Sequence, residues 1–549
     1  MIEVTPVARP VVERFQRSPG RPRRRAALYG AGAVVVFGAL VALFTAASLH
    51  AVPGNSDGAT VVLEGQAMSG GNALLHHWTL SLDSFWSVDA LFYTVAVALG
   101  GVRPVLLSLV PAVIAALVVL VGCGLARQGR RGAAAAAAVL TVAAVLALPG
   151  YALSYFFLQG PLHVGTTLWC LLAFVGLARG RLGWGWALAV AFLAAGVLGD
   201  FQIAVLGMAP ALGAGVVAMV RARHWRAGAT TVAAPLVAAV LAVGVRGLTE
   251  LFGTYTVGRA NPTAGGGRLV HNVRLVVTWS AHLFGVGGGA LGSGGVPEAL
   301  QLVHLVGAVV VVGGVALAAV ALVRGMARGP AGVPPSEPAR QGVRIEDLLV
   351  LAFGVDLVLF VVLTYSDDEN FSRYLTAAVI FGSVLAGRAV ARLVERLGPG
   401  RPRRLLAAAG VAVIAAYGAG VGIEVTGAQA GRPAQALAAF LEAHHLDQGV
   451  GDYWSASIVS VQSGGAVTVR PVIADGAAHL HRYARQSADQ WYGKPFQFLV
   501  YDTAQPWGGV DAISARASFG PVRTTYDVGI YRVLVWGHTL SVPARPSLT

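Results

Sequence analysis

Apolar segments long enough to cross a lipid bilayer recur along the chain, and no other feature of the sequence constrains its fold as strongly. A bilayer core of about 30 Å needs roughly 20 apolar residues per helix. The hydropathy pattern predicts about eleven such helices. They cover residues 26–49, 104–126, 133–148, 165–177, 185–198, 203–220, 230–245, 302–323, 348–364, 374–393 and 405–425. The sequence therefore predicts an α-helical polytopic membrane protein.

The composition excludes most other classes of protein. Hydrophobic residues make up 56% of the chain and charged residues only 12%, whereas a soluble domain carries about 25% charged residues. Two cysteines cannot build a disulfide framework. The net charge of +14 comes from arginines spread between the apolar segments, not from one basic face, so we expect no nucleic-acid partner.

The arginines also predict the orientation of the chain. They cluster before the first apolar segment and then on alternate connections, which the positive-inside rule assigns to the cytoplasm. Most loop carboxylates fall on the opposite connections. We therefore expect a multi-pass protein of the plasma membrane with its N-terminus inside and its C-terminus outside.

This topology divides the chain into three parts. Residues 1–25 form a cytoplasmic basic arm, residues 26–430 a transmembrane domain, and residues 431–549 a small extracytoplasmic α/β domain. The transmembrane domain has two large external loops, at 50–103 and 247–301. Within these parts the pattern predicts an interfacial helix at 88–99, a linker at 329–338, a tail helix at 433–444, and tail strands at 466–473, 496–501 and 528–536.

The position of the carboxylates favours chemistry at the outer surface. Transporters place ionisable groups inside their spans, and here the predicted spans are nearly free of them. Asp356, inside the predicted span 348–364, is the main exception and keeps a transport function open. The chain also lacks the internal duplication that is typical of inverted-repeat transporters.

The first external loop holds the densest set of candidate functional side chains. Asp57 follows the first span in an Asn-Ser-Asp-Gly sequence. Asp57 is a candidate functional residue, but it could instead have a structural role, in an Asx turn or as the N-cap of a helix at 59–68. Asp83 precedes the segment 84–88 and has the same capping alternative.

These segments resemble the GT-C superfamily of integral-membrane glycosyltransferases, which use polyprenyl-phosphate sugars. The segment 56–68 looks like the acidic stretch that follows the first span in that family, and 89–101 looks like its juxtamembrane helix. The segment Asn-Phe-Ser-Arg-Tyr-Leu at 370–375 is similar to an Arg-Tyr signature of many members, and 451–454 is similar to the tails of bacterial members. The nearest group is that of the protein mannosyltransferases and aminoarabinose transferases. Acids paired beside Asp57 and a proline after the Arg-Tyr pair, both present in some members, are absent here.

The resemblance implies an inverting, lipid-phosphosugar-dependent transferase. Asp57 occupies the position of the family's catalytic aspartate, and Arg373, Tyr374 and Arg103 are the candidate residues for the donor phosphate. Arg373 could instead be an interfacial anchor or the ion-pair partner of Asp367 or Asp368. Snorkelling to the interface is the alternative for Arg103.

Five further residues are candidates for substrate binding: Asp83, Asp89, His76, His77 and His163. The adjacent histidines and nearby acids make a divalent metal conceivable, but their spacing matches no metal motif. Helix capping or packing is the alternative for His163. No cofactor other than such a metal is implied.

The sequence thus favours transfer of a sugar from a polyprenyl-phosphate donor to an extracytoplasmic glycan, lipid or protein acceptor. Two alternatives stay open: a transporter or flippase of a lipid-linked or small substrate, and a noncatalytic cell-envelope assembly protein.

Overall fold

The computed structural model describes residues 21–178, 182–258, 264–286, 297–328, 342–364, 367–426 and 431–544. Most of the predicted basic arm and the whole predicted linker at 329–338 lie outside these residues. The described part of the chain is a helical bundle followed by a β-rich C-terminal region.

Fifteen helices precede the C-terminal region within the described residues. They are α1 (Arg21–Ala51), α2 (Ser56–Ser69), α3 (Asp89–Gly100), α4 (Leu106–Arg127), α5 (Gly132–Leu146), α6 (Tyr151–Leu158), α7 (Val164–Leu177), α8 (Trp184–Gly199), α9 (Ala209–Ala222), α10 (Ala229–Leu251), α11 (Gly266–Leu283), α12 (Glu298–Arg328), α13 (Ile345–Val361), α14 (Thr376–Leu397) and α15 (Arg401–Thr426). A π-helical turn, Ala204–Met208, leads into α9, and a 3-10 segment, Glu369–Leu375, leads into α14.

Each predicted span coincides with a helix, but the helices differ in length. Seven are long and apolar enough to cross a membrane, or eight if α5 and α6, which meet at 84°, form one broken span. The predicted spans at 165–177, 185–198 and 348–364 correspond to helices α7, α8 and α13, of 14, 16 and 17 residues. The chain is a polytopic membrane protein, while the count of eleven spans and their orientation stay predictions.

Helix α14 lies at the centre of the bundle, against α4, α5, α12 and α13. Small residues allow this close packing, as they do between transmembrane helices in general. A Cβ on Gly314 of α12 would lie 2.6 Å from the Cα of Ala386, and a Cβ on Gly387 would lie 2.7 Å from the carbonyl oxygen of Ala138 in α5. The centre of the bundle therefore depends on glycine at these contacts.

The C-terminal region contains a six-stranded mixed sheet. Its strands are β3 (Gln448–Gly451), β4 (Thr468–Ala474), β5 (Leu480–Arg482), β7 (Phe496–Asp502), β8 (Thr524–Val528) and β9 (Tyr531–Leu540), in the order β5-β4-β3-β7-β9-β8. Strand β3 pairs in parallel with β4 and β7, and the other pairs are antiparallel. The three predicted tail strands correspond to β4, β7 and β9 with shifted ends, and the predicted tail helix is α16 (Pro433–Ala443); α17 (Tyr453–Gln462) and α18 (Ala512–Phe519) follow.

A second, small sheet joins the tail to both of the loops that the sequence predicts to be external. Strand β1 (Trp78–Leu80) of the first loop pairs with β2 (Thr256–Val257) of the second loop and with β6 (Ser487–Ala488) of the tail. Trp78 is buried and its ring packs edge-on against Trp491, with 4.8 Å between the ring centroids. The two loops and the tail are thus joined by strand pairing.

Candidate functional site

Helix α2 carries Asp57 in its first turn. Its N-cap is Asn55, whose side-chain oxygen accepts from the backbone N–H of Gly58 at 2.9 Å. The capping alternative for Asp57 is therefore wrong, because the neighbouring asparagine performs that role. The Asp57 carboxylate is free to point toward other elements.

Its principal partner is Tyr453, nearly 400 residues later in the chain. The Tyr453 hydroxyl donates to Oδ1 of Asp57, and the side-chain amide of Gln486 is a second partner of that hydroxyl. Tyr453 is the first residue of α17, where Asp452 caps the helix by accepting from the N–H groups of Trp454 and Ser455. A helix cap thus fixes the tyrosine that reaches the carboxylate.

Polar contacts lock α17 onto α2. The Ser56 hydroxyl donates to the carbonyl of Trp454 at 2.9 Å, and the hydroxyl of Thr60 donates to that of Ser457 at 2.9 Å. Ser56, Thr60 and Ser457 are all fully buried. The C-terminal region is therefore part of the wall around Asp57.

The surroundings of Asp57 act on its pKa in opposite directions. Burial raises the pKa above its ordinary value, while the hydrogen bonds of Tyr453 and Gln486 and the positive charge of Arg373 lower it. Burial is the larger effect, so the net pKa is raised. A carboxyl in this state can take up a proton near neutral pH more readily than a solvated one.

Arg373 supplies positive charge to the same site. It lies in the 3-10 segment before α14, with its guanidinium 4.9 Å from the ring centroid of Phe371 and 5.3 Å from that of Tyr374. Its Nε is buried and has no hydrogen-bond partner among the described residues. The guanidinium is therefore held by aromatic rings and keeps donor capacity for a ligand.

The ion-pair alternative for Arg373 is wrong. Asp367 pairs instead with Arg268 and His271, both at 2.5 Å, and Asp368 accepts from the backbone N–H of Asn370 at 2.9 Å. Neither carboxylate neutralises the arginine.

Asp83, His163 and Asp200 come together within reach of the charge of Arg373. One ligand atom from each lies within 4.8 Å of the others, so the three could hold a divalent cation. The Nδ1 atom of His163 is 2.7 Å from Oδ2 of Asp200, and the Thr166 hydroxyl also donates to that oxygen. Asp200 was not among the predicted site residues, although its place on a predicted external connection was a usable signal.

The charges in this group are interdependent. Burial and the negative charge of Asp200 raise the pKa of Asp83 to about 7. Burial would raise the pKa of Asp200, but His163 lowers it below its ordinary value. Burial would lower the pKa of His163, but Asp200 raises it. Burial thus favours the protonated form of Asp83 near neutral pH, and Asp83 is not a helix cap.

His163 and Asp89 occupy structured positions beside this group. His163 has a left-handed backbone with φ of 65° immediately before α7, makes no side-chain cap, and lies 5.2 Å from Tyr374 between ring centroids. Asp89 begins α3, is buried, and has an Oδ2 atom without a hydrogen-bond partner in the described part of the chain. Burial raises the pKa of Asp89 to about 7. A Cβ on Gly165 would lie 2.5 Å from that Oδ2, so glycine makes room for the carboxyl.

His76 and His77 are not brought into the group, and Arg103 lies in an exposed turn. Arg103 is exposed in the turn before α4, and its side chain has no ion pair within the described ranges. His76 is half-buried and His77 exposed in the turn between α2 and β1, apart from the candidate cation ligands.

Two aromatic residues of the tail extend the site and were missed by sequence reasoning. Tyr483 and Trp507 lie 5.2 and 5.8 Å from Tyr453 between ring centroids, and both are half-buried. Only the folded tail brings these residues beside Asp57, so no local signal identified them. They form an aromatic wall next to the carboxylate.

The described fold is similar to that of solved integral-membrane transferases of the kind that the sequence resembles. The solved structures that it resembles include ArnT from Cupriavidus metallidurans in the apo state, with a TM-score of 0.54, 13% sequence identity, and coverage of 94% of this chain and 98% of that one. ArnT from the same organism bound to undecaprenyl phosphate matches with a TM-score of 0.51 and 15% identity over 95% of this chain and 99% of that one. An oligosaccharyltransferase from Archaeoglobus fulgidus, in a complex with zinc and sulfate, has a TM-score of 0.46 and 12% identity over 85% of this chain and 68% of that one. No family model and no curated protein matches the sequence.

Proposed function

We propose that the chain is a membrane glycosyltransferase that transfers a sugar from a polyprenyl-phosphate donor to an extracytoplasmic glycan, lipid or protein. The observation that carries this proposal is a buried carboxylate, Asp57, that feels the positive charge of Arg373, whose Nε has no hydrogen-bond partner in the described residues, in a fold similar to that of ArnT. One of the ArnT structures holds undecaprenyl phosphate, which supports a donor of that class.

In the proposed reaction Asp57 is the general base. It accepts the proton of the acceptor hydroxyl while the hydroxyl oxygen forms a bond to the anomeric carbon of the donor. The bond between that carbon and the phosphate oxygen breaks, and the polyprenyl phosphate leaves with the electron pair. Attack opposite the leaving group inverts the anomeric configuration.

The other residues have positioning and electrostatic roles in this scheme. The guanidinium of Arg373 offers planar donors to the phosphate oxygens, on which negative charge grows as the bond breaks. Tyr374 holds Arg373 from one side. Tyr453 orients the Asp57 carboxylate by donating to Oδ1.

The group formed by Asp83, His163 and Asp200 would hold the metal if the reaction uses one. A cation bound there would add positive charge near the donor phosphate. His163 and Asp200 are already oriented by their mutual hydrogen bond, and Asp83 would lose its proton on binding.

The transport alternative receives less support because Asp356 already has a structural partner. Its Oδ2 accepts from the backbone N–H of Ala378 at 2.7 Å, near the N-terminus of α14, where a carboxylate stabilises the helix end. No observation favours the noncatalytic alternative.

The test is turnover of a panel of radiolabelled polyprenyl-phosphate sugars by purified protein in nanodiscs. Asp57→Asn should abolish transfer while donor binding is retained. The matched control is Glu64→Gln, because Glu64 is another buried carboxyl on α2. Full activity of a folded Asp57→Asn protein would overturn the role of Asp57, and a wild type that binds no donor would overturn the proposed function. NMR of the product anomer tests inversion.

A further inference from the structure

A cavity lies at the end of the bundle opposite Asp57. It has a volume of about 720 Å³ and is bordered by helices α9, α12 and α14 and by the start of α13. Arg373 precedes α14, and two of the arginines of this cavity, Arg392 and Arg396, lie in the last two turns of that helix. About twenty helical residues separate the two sites, which corresponds to roughly 30 Å, or one bilayer core.

The polar lining of this cavity is entirely guanidinium. The lining arginines are Arg221, Arg324, Arg344, Arg392 and Arg396. Two carboxylates next to them are already engaged, since Asp347 makes a bidentate pair with Arg221 and Glu346 pairs with Arg388 and Arg392. Arg324, Arg344 and Arg396 are exposed and have no ion-pair partner among the residues that the structure describes. The cavity therefore carries an excess of positive charge.

One of these arginines is built into the cavity wall. Arg221 is only 6% exposed, yet its Nε has no hydrogen-bond partner in the described ranges. Gly325 of α12 faces this guanidinium, and a Cβ on that residue would lie 2.9 Å from Nε of Arg221. Glycine therefore allows α12 to approach the guanidinium closely. A buried donor without a partner costs free energy, and an anion at this position would satisfy it.

The remaining lining is apolar and reaches the lipid-facing surface. Leu317, Val320 and Leu393 line the cavity and are 60%, 44% and 45% exposed. A soluble anion gains nothing from these side chains, whereas acyl chains bury them. Basic pockets between helices at one membrane face bind anionic lipid headgroups elsewhere.

We infer that this cavity binds an anionic phospholipid, with the phosphate among Arg221, Arg324 and Arg396 and the acyl chains along Leu317, Val320 and Leu393. This phospholipid is distinct from the proposed sugar donor, because its site and the Asp57 site lie at opposite membrane faces. The inference does not depend on the proposed function.

The experiment uses native mass spectrometry of the full chain released from nanodiscs. The discs contain phosphatidylcholine alone or phosphatidylcholine doped with phosphatidylglycerol. The variant is the double substitution Arg324→Gln and Arg396→Gln. The matched control is Arg401→Gln with Arg404→Gln, which removes the same amount of charge. Both arginines are exposed, follow α14 closely and do not line the cavity.

The wild type and the control should retain phosphatidylglycerol, and the cavity variant should bind it at least about tenfold more weakly after losing two charge-assisted contacts. Equal retention by the cavity variant, or an equal loss in the control, would overturn the site. Inorganic phosphate is added as a competitor. Displacement of the lipid by phosphate at comparable concentration would overturn the assignment to a lipid.

Discussion

The hydroxyl of Tyr453 donates a hydrogen bond to Oδ1 of Asp57 across nearly 400 residues of chain. Tyr453 belongs to the C-terminal region, and Asp57 belongs to the loop after the first predicted span. A substitution in the tail should therefore change the chemistry of the loop.

Tyr453→Phe should lower kcat by about tenfold to a hundredfold, because a hydrogen bond to a charged group contributes about 1.5–3 kcal/mol. This bond lowers the pKa of Asp57, so its loss should move the acidic limb of the rate profile to higher pH. Part of the activity should return as the pH rises, because a base acts in its ionised form. The measurement is kcat/KM against pH. Tyr483→Phe is the control, and an unshifted limb in Tyr453→Phe would contradict the proposed contact.

Arg373→Lys should raise KM for the lipid donor about tenfold or more, because lysine cannot make planar bidentate contacts to a phosphate. Arg103→Lys serves as the matched comparison, since Arg103 is exposed and unpaired in the described residues. The measurement is donor binding and KM for both variants. Equal effects of the two substitutions would argue against a special role for Arg373.

Asp83→Asn should stabilise the protein above pH 7 and have little effect at pH 4 or below. The folded pKa of Asp83 is about 7, above its ordinary value of 3.8. A carboxyl group with a higher pKa in the folded state than in the unfolded state holds its proton more tightly when the protein is folded. Its contribution to stability is therefore fully present below pH 3.8 and is lost as the pH rises through about 7. Asparagine avoids the cost of the buried charge. Thermal unfolding from pH 4 to 8, with a chelator present, checks this, and a stabilisation independent of pH would contradict it.

Gly65→Ala should destabilise the protein by roughly 1–3 kcal/mol. A Cβ there would lie 2.9 Å from backbone atoms of Tyr93 and Thr94, so α2 and α3 would be forced apart. Because α2 carries Asp57, activity should fall as well. Gly124→Ala in α4 is the control, as nothing lies within 4 Å of its Cβ position. Thermal unfolding and turnover are measured on both, and similar stability of the two variants would exclude the close approach.

The cap of α2 illustrates how local sequence can mislead. Asn55 and Asp57 are both good N-cap residues, and the choice between them depends on where the helix begins. The structure begins α2 at Ser56, so Asn55 caps it and Asp57 becomes available to Tyr453. A shift of two residues changes an apparently structural aspartate into the centre of the candidate site.

The sequence by itself determined the apolar helices, the strands of the tail, and the candidacy of Asp57 and Arg373. Those features follow from local periodicity, from the length that a bilayer requires, and from short motifs. Only the tertiary structure decided that Asp200 joins Asp83 and His163, that His76 and His77 stay apart from that group, and that Tyr453 completes the surroundings of Asp57. These contacts join segments far apart in the chain, and they depend on helix packing and strand pairing that no local pattern records.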